Sequence, residues 1–187
     1  MAIILSTLPN VSNANEIFIN QVGDHLNLTI NQQGRGHVAT ADIDGDYATL
    51  SIIQQNNSAT NFGGHYSNVV VMGGSNNSVS TLQTGDGDHA SSVYVRSGRN
   101  GNTVDVYQDG ADQRLAVSIY SDNNNIDVNQ TGTTSNQAYV LFSHNNVGPV
   151  DFTLNQSGGD TYGNLDTGSY ATISCGNTNG CTVSVSQ

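Results

Sequence analysis

This 187-residue chain has no lysine and no tryptophan, and its only cationic side chains are four arginines. Phosphate binding needs clustered lysine and arginine, so a net charge of -11 argues against nucleic acid as a partner and against adhesion to anionic lipid. Hydrophobic residues make up 35%, which is little for an ordinary globular core, and no stretch is long and apolar enough for membrane insertion. No segment has a 3.6-residue apolar period, so we predict no helix.

The chain is instead rich in asparagine, glutamine and glycine, with 25, 12 and 21 copies. Such a composition is typical of disorder, but a phrase of the form apolar-x-apolar-x-Gln-x-Gly recurs along it. The glutamines of the phrase are Gln21, Gln32, Gln54, Gln83, Gln108, Gln130, Gln156 and Gln187. From Gln32 they recur at steps of 22, 29, 25, 22, 26 and 31 residues. Self-similarity at such a period indicates stacked supersecondary units.

The position of the glutamine within the phrase predicts that it faces inward. Apolar residues two apart lie on one face of a strand, and in Val104, Val106, Gln108 the glutamine has the same parity. Equivalent residues of stacked coils lie about 4.8 Å apart, so the glutamines can form a hydrogen-bonded ladder that satisfies their buried amides. The turn glycines expected after them are Gly23, Gly34, Gly85, Gly110, Gly132 and Gly158.

A second alternating stretch follows each turn, as in Leu115, Val117 and Ile119. The sequence therefore predicts an all-β fold, a β-solenoid of strand-turn-strand repeats with about seven irregular coils. We expect a single solenoid over residues 15–187, preceded by a 1–14 segment that is either a docking arm or a weak signal-like sequence.

The last part of the chain, residues 171–187, is predicted to form a cap. Cys175 and Cys181 flank a turn-forming loop, so antiparallel hairpin arms could bring them within disulfide range. Two reduced cysteines are the alternative, and a zinc site is disfavoured because a second ligand pair is missing.

The order of residues within two coils resembles a known family. Residues 104–124 read VDVYQDGADQRLAVSIYSDNN, in which Gln108 is followed by Gly110 and later by Ala116. In residues 126–146, Gln130 is likewise followed by Gly132, and then by Asn136 and Ala138. This pattern is similar to the curlin repeat of bacterial curli fibres and to the curlin-like repeats of some marine bacteriophage virion proteins. The resemblance implies a β-solenoid that assembles into a larger structure.

From this resemblance we expect a non-enzymatic structural protein of a bacteriophage virion, such as a decoration, fibre or tail-associated protein. Its partners would be itself and other virion structural proteins. The first alternative is a secreted curli-like amyloid fibre subunit of a biofilm matrix, located outside the cell. The second is a β-helix that binds host-surface glycans through Tyr162, Asp166 and Tyr170.

Signals for catalysis and cofactors are weak. All five histidines fall in predicted turns, where we expect solvated side chains, and nothing forms a nucleophile elbow, so no catalytic residue is predicted. Asp42, Asp44 and Asp46 surround Gly45 like part of a calcium loop, but the distal bidentate glutamate is missing. We expect no cofactor, with calcium at these aspartates as the weaker alternative.

Overall fold

The computed structural model describes residues 2–7, 15–21, 23–56, 64–72, 74–96, 99–133, 135–142, 149–157, 161–162, 171–173 and 181–186. Within them the chain forms sixteen strands and no helix, which confirms the all-β prediction. The strands are β1 Ala2–Thr7, β2 Glu16–Gln21, β3 Asn27–Gln33, β4 Val38–Ile43, β5 Thr49–Gln55, β6 Tyr66–Val71, β7 Ser78–Thr84, β8 Ala90–Val95, β9 Thr103–Gly110, β10 Arg114–Ile119, β11 Asn125–Gly132, β12 Gln137–Phe142, β13 Val150–Ser157, β14 Thr161–Tyr162, β15 Ala171–Ile173 and β16 Cys181–Ser186.

The strands form two parallel sheets, and from β1 to β14 the chain alternates between them. The first sheet has the order β1-β3-β5-β7-β9-β11-β13-β16. The second has the order β14-β12-β10-β8-β6-β4-β2, and β15 also pairs with β12. From β1 to β12 each strand pairs with the strand two further along the chain, so two successive strands form one coil, and the architecture is a β-solenoid as the repeats predict.

Side chains alternate strictly between the interior and the outside. In β5 the burial alternates residue by residue, with Leu50, Ile52 and Gln54 buried. In the strand that follows, Val69 and Val71 are buried with the same period of two. The apolar core is therefore a narrow strip between the sheets, which explains why a chain with few hydrophobic residues can fold.

Five regular coils follow one another from β3 to β12, so the expected count of about seven is slightly too high. Strands β1 and β2 precede these coils, and β13 to β16 extend the two sheets after them. The backbone of β1 pairs in parallel with β3, so part of the 1–14 segment adds a strand to the first sheet.

Coils of different length are accommodated at the turns rather than in the strands. Gln32 pairs with Gln54 and Gln54 with Gln83, although these steps span 22 and 29 residues. An insertion in a surface turn costs little, whereas a shift of register would move every inward side chain to the outside. No helix that could cross a bilayer occurs in the part of the chain that the structure describes.

Candidate functional site: three buried polar columns

The structure brings six of the predicted glutamines together in one column, which we call the glutamine ladder. Its members are Gln32, Gln54, Gln83, Gln108, Gln130 and Gln156. Nε2 of each glutamine donates to Oε1 of the next at 2.8 or 2.9 Å, and all six side chains are buried. The five bonds run in one direction, so each of the four inner amides is both donor and acceptor along the column.

The second amide hydrogen of each glutamine connects the two sheets. It is donated to a backbone carbonyl of the first residue of a strand in the second sheet, at distances from 2.9 to 3.3 Å. These carbonyls belong to Glu16, Val38, Tyr66, Ala90, Arg114 and Gln137. The ladder therefore joins neighbouring coils and also closes the corner between the sheets.

The acceptor end of the ladder is open at Gln32. Its Oε1 is buried and accepts no hydrogen bond. In the strand before it, Thr7 is the residue whose backbone pairs with Gln32. A buried acceptor without a donor costs free energy, so this end is the weakest point of the ladder.

Thr7→Gln is expected to stabilise the protein by about 1 kcal/mol, because the new amide can donate to Gln32 Oε1. Urea unfolding at neutral pH measures the free energy of unfolding of both chains. Thr7→Met is the matched control, since methionine has a similar length but no amide to donate. An equal gain in both variants would show that the added volume, not the hydrogen bond, is responsible.

Two of the predicted ladder positions are not part of this column. Gln21 lies in the second sheet, where β2 pairs it with Ile43, and its Nε2 donates to the carbonyl of Gly23 at 2.9 Å. The prediction for Gln21 is wrong because 11 residues, half of a 22-residue coil, separate it from Gln32 and place it on the opposite sheet. Gln187 lies outside the described residues.

The predicted turn glycines occupy two kinds of position. Gly34, Gly85, Gly110 and Gly132 have φ from 99° to 122° and follow the ladder glutamines by two residues. Gly23 instead lies at a turn after β2, where an added Cβ would meet the carbonyl oxygen of Gly45. Gly158 lies outside the described residues.

A second column, which we call the histidine corner, occupies the turns that lead into the second sheet. It consists of Asn15, His37, His65, His89, Gln113 and Asn136, each immediately before a strand of that sheet. The three imidazoles stack, with ring centroids 4.9 Å apart for His37 and His65 and 4.6 Å apart for His65 and His89. All three are buried, so the expectation of solvated loop histidines is wrong for them.

Both nitrogens of each imidazole in this corner have a backbone partner. Nδ1 faces the backbone N–H of the next member of the column, at 3.1 Å from His65, 3.4 Å from His89 and 3.1 Å from Gln113. Nε2 lies 2.6 to 3.0 Å from a carbonyl at the end of the preceding first-sheet strand. These carbonyls belong to Gln33, Gln55 and Thr84.

Burial disfavours the charged form of these imidazoles. It lowers the pKa of His65 to about 4, against the opposing effect of the Gln55 carbonyl, and the neighbouring His89 and His37 lower it further. Burial also lowers the pKa of His37 and of His89. The corner is therefore neutral at pH 7.

A third column, the asparagine corner, lies at the turns that lead into the first sheet. Asn77, Asn102 and Asn124 are buried, and the Oδ1 of each accepts the backbone N–H at the same position of the next coil. These distances are 3.0 Å to Asn102, 3.0 Å to Asn124 and 3.1 Å to Val150. At both corners, side chains thus satisfy backbone groups where the chain leaves the sheet ladder.

The aspartates of the calcium hypothesis are not brought together as a metal site. Asp42 points outward from β4, whereas Asp44 and Asp46 line a cavity of about 280 Å³ with Gly74, Ser75 and Asn100. Asp46 Oδ1 accepts the backbone N–H of Asp24 at 3.1 Å. In the described part of the chain no group of three or more histidines, cysteines, aspartates or glutamates has the arrangement of a metal site.

The remaining predicted sites fall largely outside the described residues. Cys175 is among the residues that the structure leaves out, so the disulfide stays a prediction, and Cys181 is described only as the start of β16. Of the glycan-site residues, Asp166 and Tyr170 lie outside the described ranges, and Tyr162 is described only as the end of β14.

The outer face of the first sheet is acidic. The first sheet presents Asp105, Asp127 and Asp151, and burial together with the Asp127 carboxylate raises the pKa of Asp105. In the turns that follow β8 and β10, Arg96 lies over the ring of Tyr120 at 5.3 Å from the centroid.

No protein-family model, curated protein or solved structure matches this chain.

Proposed function

We propose that this chain is a non-enzymatic structural protein, a β-solenoid that serves as a building block of a bacteriophage virion. In this role it would act as a decoration, fibre or tail-associated protein, with copies of itself or other virion proteins as partners. The supporting observation is that the repeated polar residues form hydrogen bonds between coils. The glutamines and asparagines that recur in the sequence hydrogen-bond between coils inside the fold, where they hold the rod together.

The three columns make each coil depend on its neighbours. Between β9 and β11, the backbone ladder runs from Thr103 paired with Asn125 to Gly110 paired with Gly132. The same two coils are joined by the ladder bond from Gln108 to Gln130 and by the asparagine bond from Asn124 to Asn102. A coil cannot move sideways without breaking all of these bonds together, and such resistance suits a protein with a mechanical role.

The acidic outer face fits a component that must stack in a controlled way. A net charge of -11 keeps copies of the chain apart in solution, because like charges on the outer faces repel. The resemblance of the repeats to those of bacteriophage virion proteins carries the choice of a virion over other assemblies, and that choice remains a proposal.

The open edge of the second sheet favours a second candidate, the secreted curli-like fibre subunit. β2 is the terminal strand of this sheet, and its Phe18 and Ile19 side chains are 57% and 36% exposed. Ile19 has the inward parity of Ala41, its buried partner in β4, and is exposed because no described strand covers it. Such an edge can template further strands.

Electron microscopy of the native assembly, with mass spectrometry of the mature N-terminus, separates the two candidates. The virion proposal predicts discrete, symmetric particles that contain an uncleaved chain. Open-ended fibres built from chains that begin near Asn15 would overturn it in favour of the secreted fibre.

A further inference from the structure

The hydrogen bonds of the histidine corner match neutral imidazole, and the carbonyl of Gly87, which raises the pKa of His65, acts less strongly than the burial that lowers it. Nδ1 of His65 faces the N–H of His89, which can only donate, so Nδ1 must be the acceptor. Nε2 faces the carbonyl of Gln55, which can only accept, so Nε2 must carry the proton. The same reasoning fixes the Nε2–H tautomer for His37 and His89.

Protonation of any of these rings would place two donors against each other. A proton on Nδ1 would point at the backbone N–H from which this nitrogen now accepts a hydrogen bond. The stacking adds a second conflict, because the rings of His37 and His89 lie 4.9 and 4.6 Å from the ring of His65. Two or three cations at these separations would repel in a buried setting.

We propose that the histidine corner is an acid-sensitive latch, which joins the coils at neutral pH and releases this corner of the solenoid in an acidic medium. Release would begin with the backbone bonds from His65, His89 and Gln113 to the ring nitrogens. The corner is also bonded to the first sheet through the Nε2 atoms of the rings, and to the glutamine ladder through Gln54 Nε2, which donates to the carbonyl of His65 at 2.9 Å. Protonation of Nδ1 leaves these bonds and the bonds of the asparagine corner in place, so the opening would begin at the turns into the second sheet.

The chain itself provides a non-titrating version of the same contact. Gln113 Oε1 accepts the backbone N–H of Asn136 at 3.0 Å, and Asn15 Oδ1 accepts that of His37 at 3.0 Å. Asn136 Nδ2 also donates to the carbonyl of Thr131 at 2.9 Å, as the histidines do to the equivalent carbonyls. An amide thus performs the structural task, and only the three histidines bring sensitivity to acid.

Carboxylates near the corner affect the protonation of His89, and a carboxylate on the outer face affects the pH dependence of stability. Asp109, Asp112 and Asp88 are the carboxylates that act on His89, and they favour its cationic form, while burial opposes it more strongly. The raised pKa of Asp105 on the outer face has the opposite effect on stability, because its protonation at low pH relieves repulsion. Comparison of variants that all retain these aspartates isolates the contribution of the histidines.

The sign of the pH dependence follows from the lowered pKa values. In the unfolded chain a histidine binds a proton near pH 6.5, whereas His65 in the folded chain does so only near pH 4. Acid therefore stabilises the unfolded chain first, and the folded state loses stability as the pH falls from about 6.5 to about 4. For His65 alone, the folding equilibrium constant is expected to fall on the order of 100-fold between pH 7.5 and pH 4.5.

Urea unfolding of the full chain at pH 7.5 and pH 4.5 tests the latch, with His65→Asn as the decisive variant. Asparagine retains an acceptor and a donor, as at Asn15 and Asn136. The free energy of unfolding of the variant is therefore expected to fall less between pH 7.5 and pH 4.5 than that of the wild type, by most of the amount attributed to His65. His25→Asn is the matched control, because His25 stacks on exposed Tyr47 outside the corner, and it should keep the wild-type drop. An unchanged drop in His65→Asn would overturn the proposal.

Nitrogen-15 NMR of the histidine side chains tests the same proposal without any variant. The three corner rings are expected to show the Nε2–H tautomer and to remain neutral at pH 6. Corner rings that titrate near pH 6.5, or that show the Nδ1–H tautomer, would contradict the latch even if His65→Asn fails to fold.

Discussion

Gln108→Leu is expected to lower the free energy of unfolding by about 2 to 6 kcal/mol, although leucine preserves most of the volume and adds apolar surface. The substitution removes the acceptor of Gln83 Nε2 and the donor to Gln130 Oε1. Both groups are buried, and each orphaned buried polar group costs about 1 to 3 kcal/mol. Urea or thermal unfolding followed by circular dichroism measures the loss.

The double variant Gln108→Leu, Gln130→Leu tests whether the two glutamines act as a connected ladder. Each single variant removes the acceptor of the preceding glutamine and the donor to the following one. The double variant also affects only two neighbouring groups, because Gln83 Nε2 loses its acceptor and Gln156 Oε1 loses its donor. The double loss should therefore be close to that of either single variant rather than to their sum. Additive losses would show that the glutamines contribute independently and not as a ladder.

Gln33→Leu is the control for the glutamine itself. Gln33 follows ladder residue Gln32 in the same strand but points outward and is exposed. Removing its amide should leave the free energy of unfolding within about 0.5 kcal/mol of the wild-type value, as for most surface substitutions.

Much of this architecture could be predicted from parity alone. Because Val104, Val106 and Gln108 share a face, the inward position of the glutamine follows from the sequence, and the structure buries all three residues. The same rule predicts that a histidine of the corner faces inward, since His89 has the parity of Val93 and Val95 in the strand that it precedes. It was missed because histidine beside glycine and aspartate is typical of a solvated turn, whereas here the turn itself is buried.

A local motif does not indicate which of the two sheets a strand joins. Ile17, Ile19 and Gln21 match the repeated phrase as well as any coil, but they lie in the second sheet. A strand pattern specifies which side chains face inward and does not specify which sheet the strand joins, because both sheets bury residues with a period of two. Only the count of residues per coil distinguishes them, and the irregular steps obscure that count.

Gly110→Ala is expected to cost about 2 to 5 kcal/mol, from about 1 to 2 kcal/mol for an L residue at positive φ and about 1 to 3 kcal/mol of further backbone strain. Gly110 has a φ of 101° and pairs with Gly132 of the next coil. An added Cβ would overlap the carbonyl oxygen of Gly132, which already accepts the N–H of Ala111 at 2.9 Å. Backbone on both sides would have to move, and the adjacent ladder residue Gln108 would move with it.

Gly101→Ala makes the same change at a turn where it should be tolerated better. Gly101 has a φ of 66°, and the atom nearest to its added Cβ is Oδ1 of Asn123, the end of a side chain that can rotate. Asn76 and Asn123 have φ of 58° and 57° at the equivalent turns of neighbouring coils, so this position accepts a side chain. We expect a cost of about 1 to 2 kcal/mol for Gly101→Ala. Equal losses in the two variants would mean that positive φ, and not the close approach of stacked coils, makes Gly110 necessary.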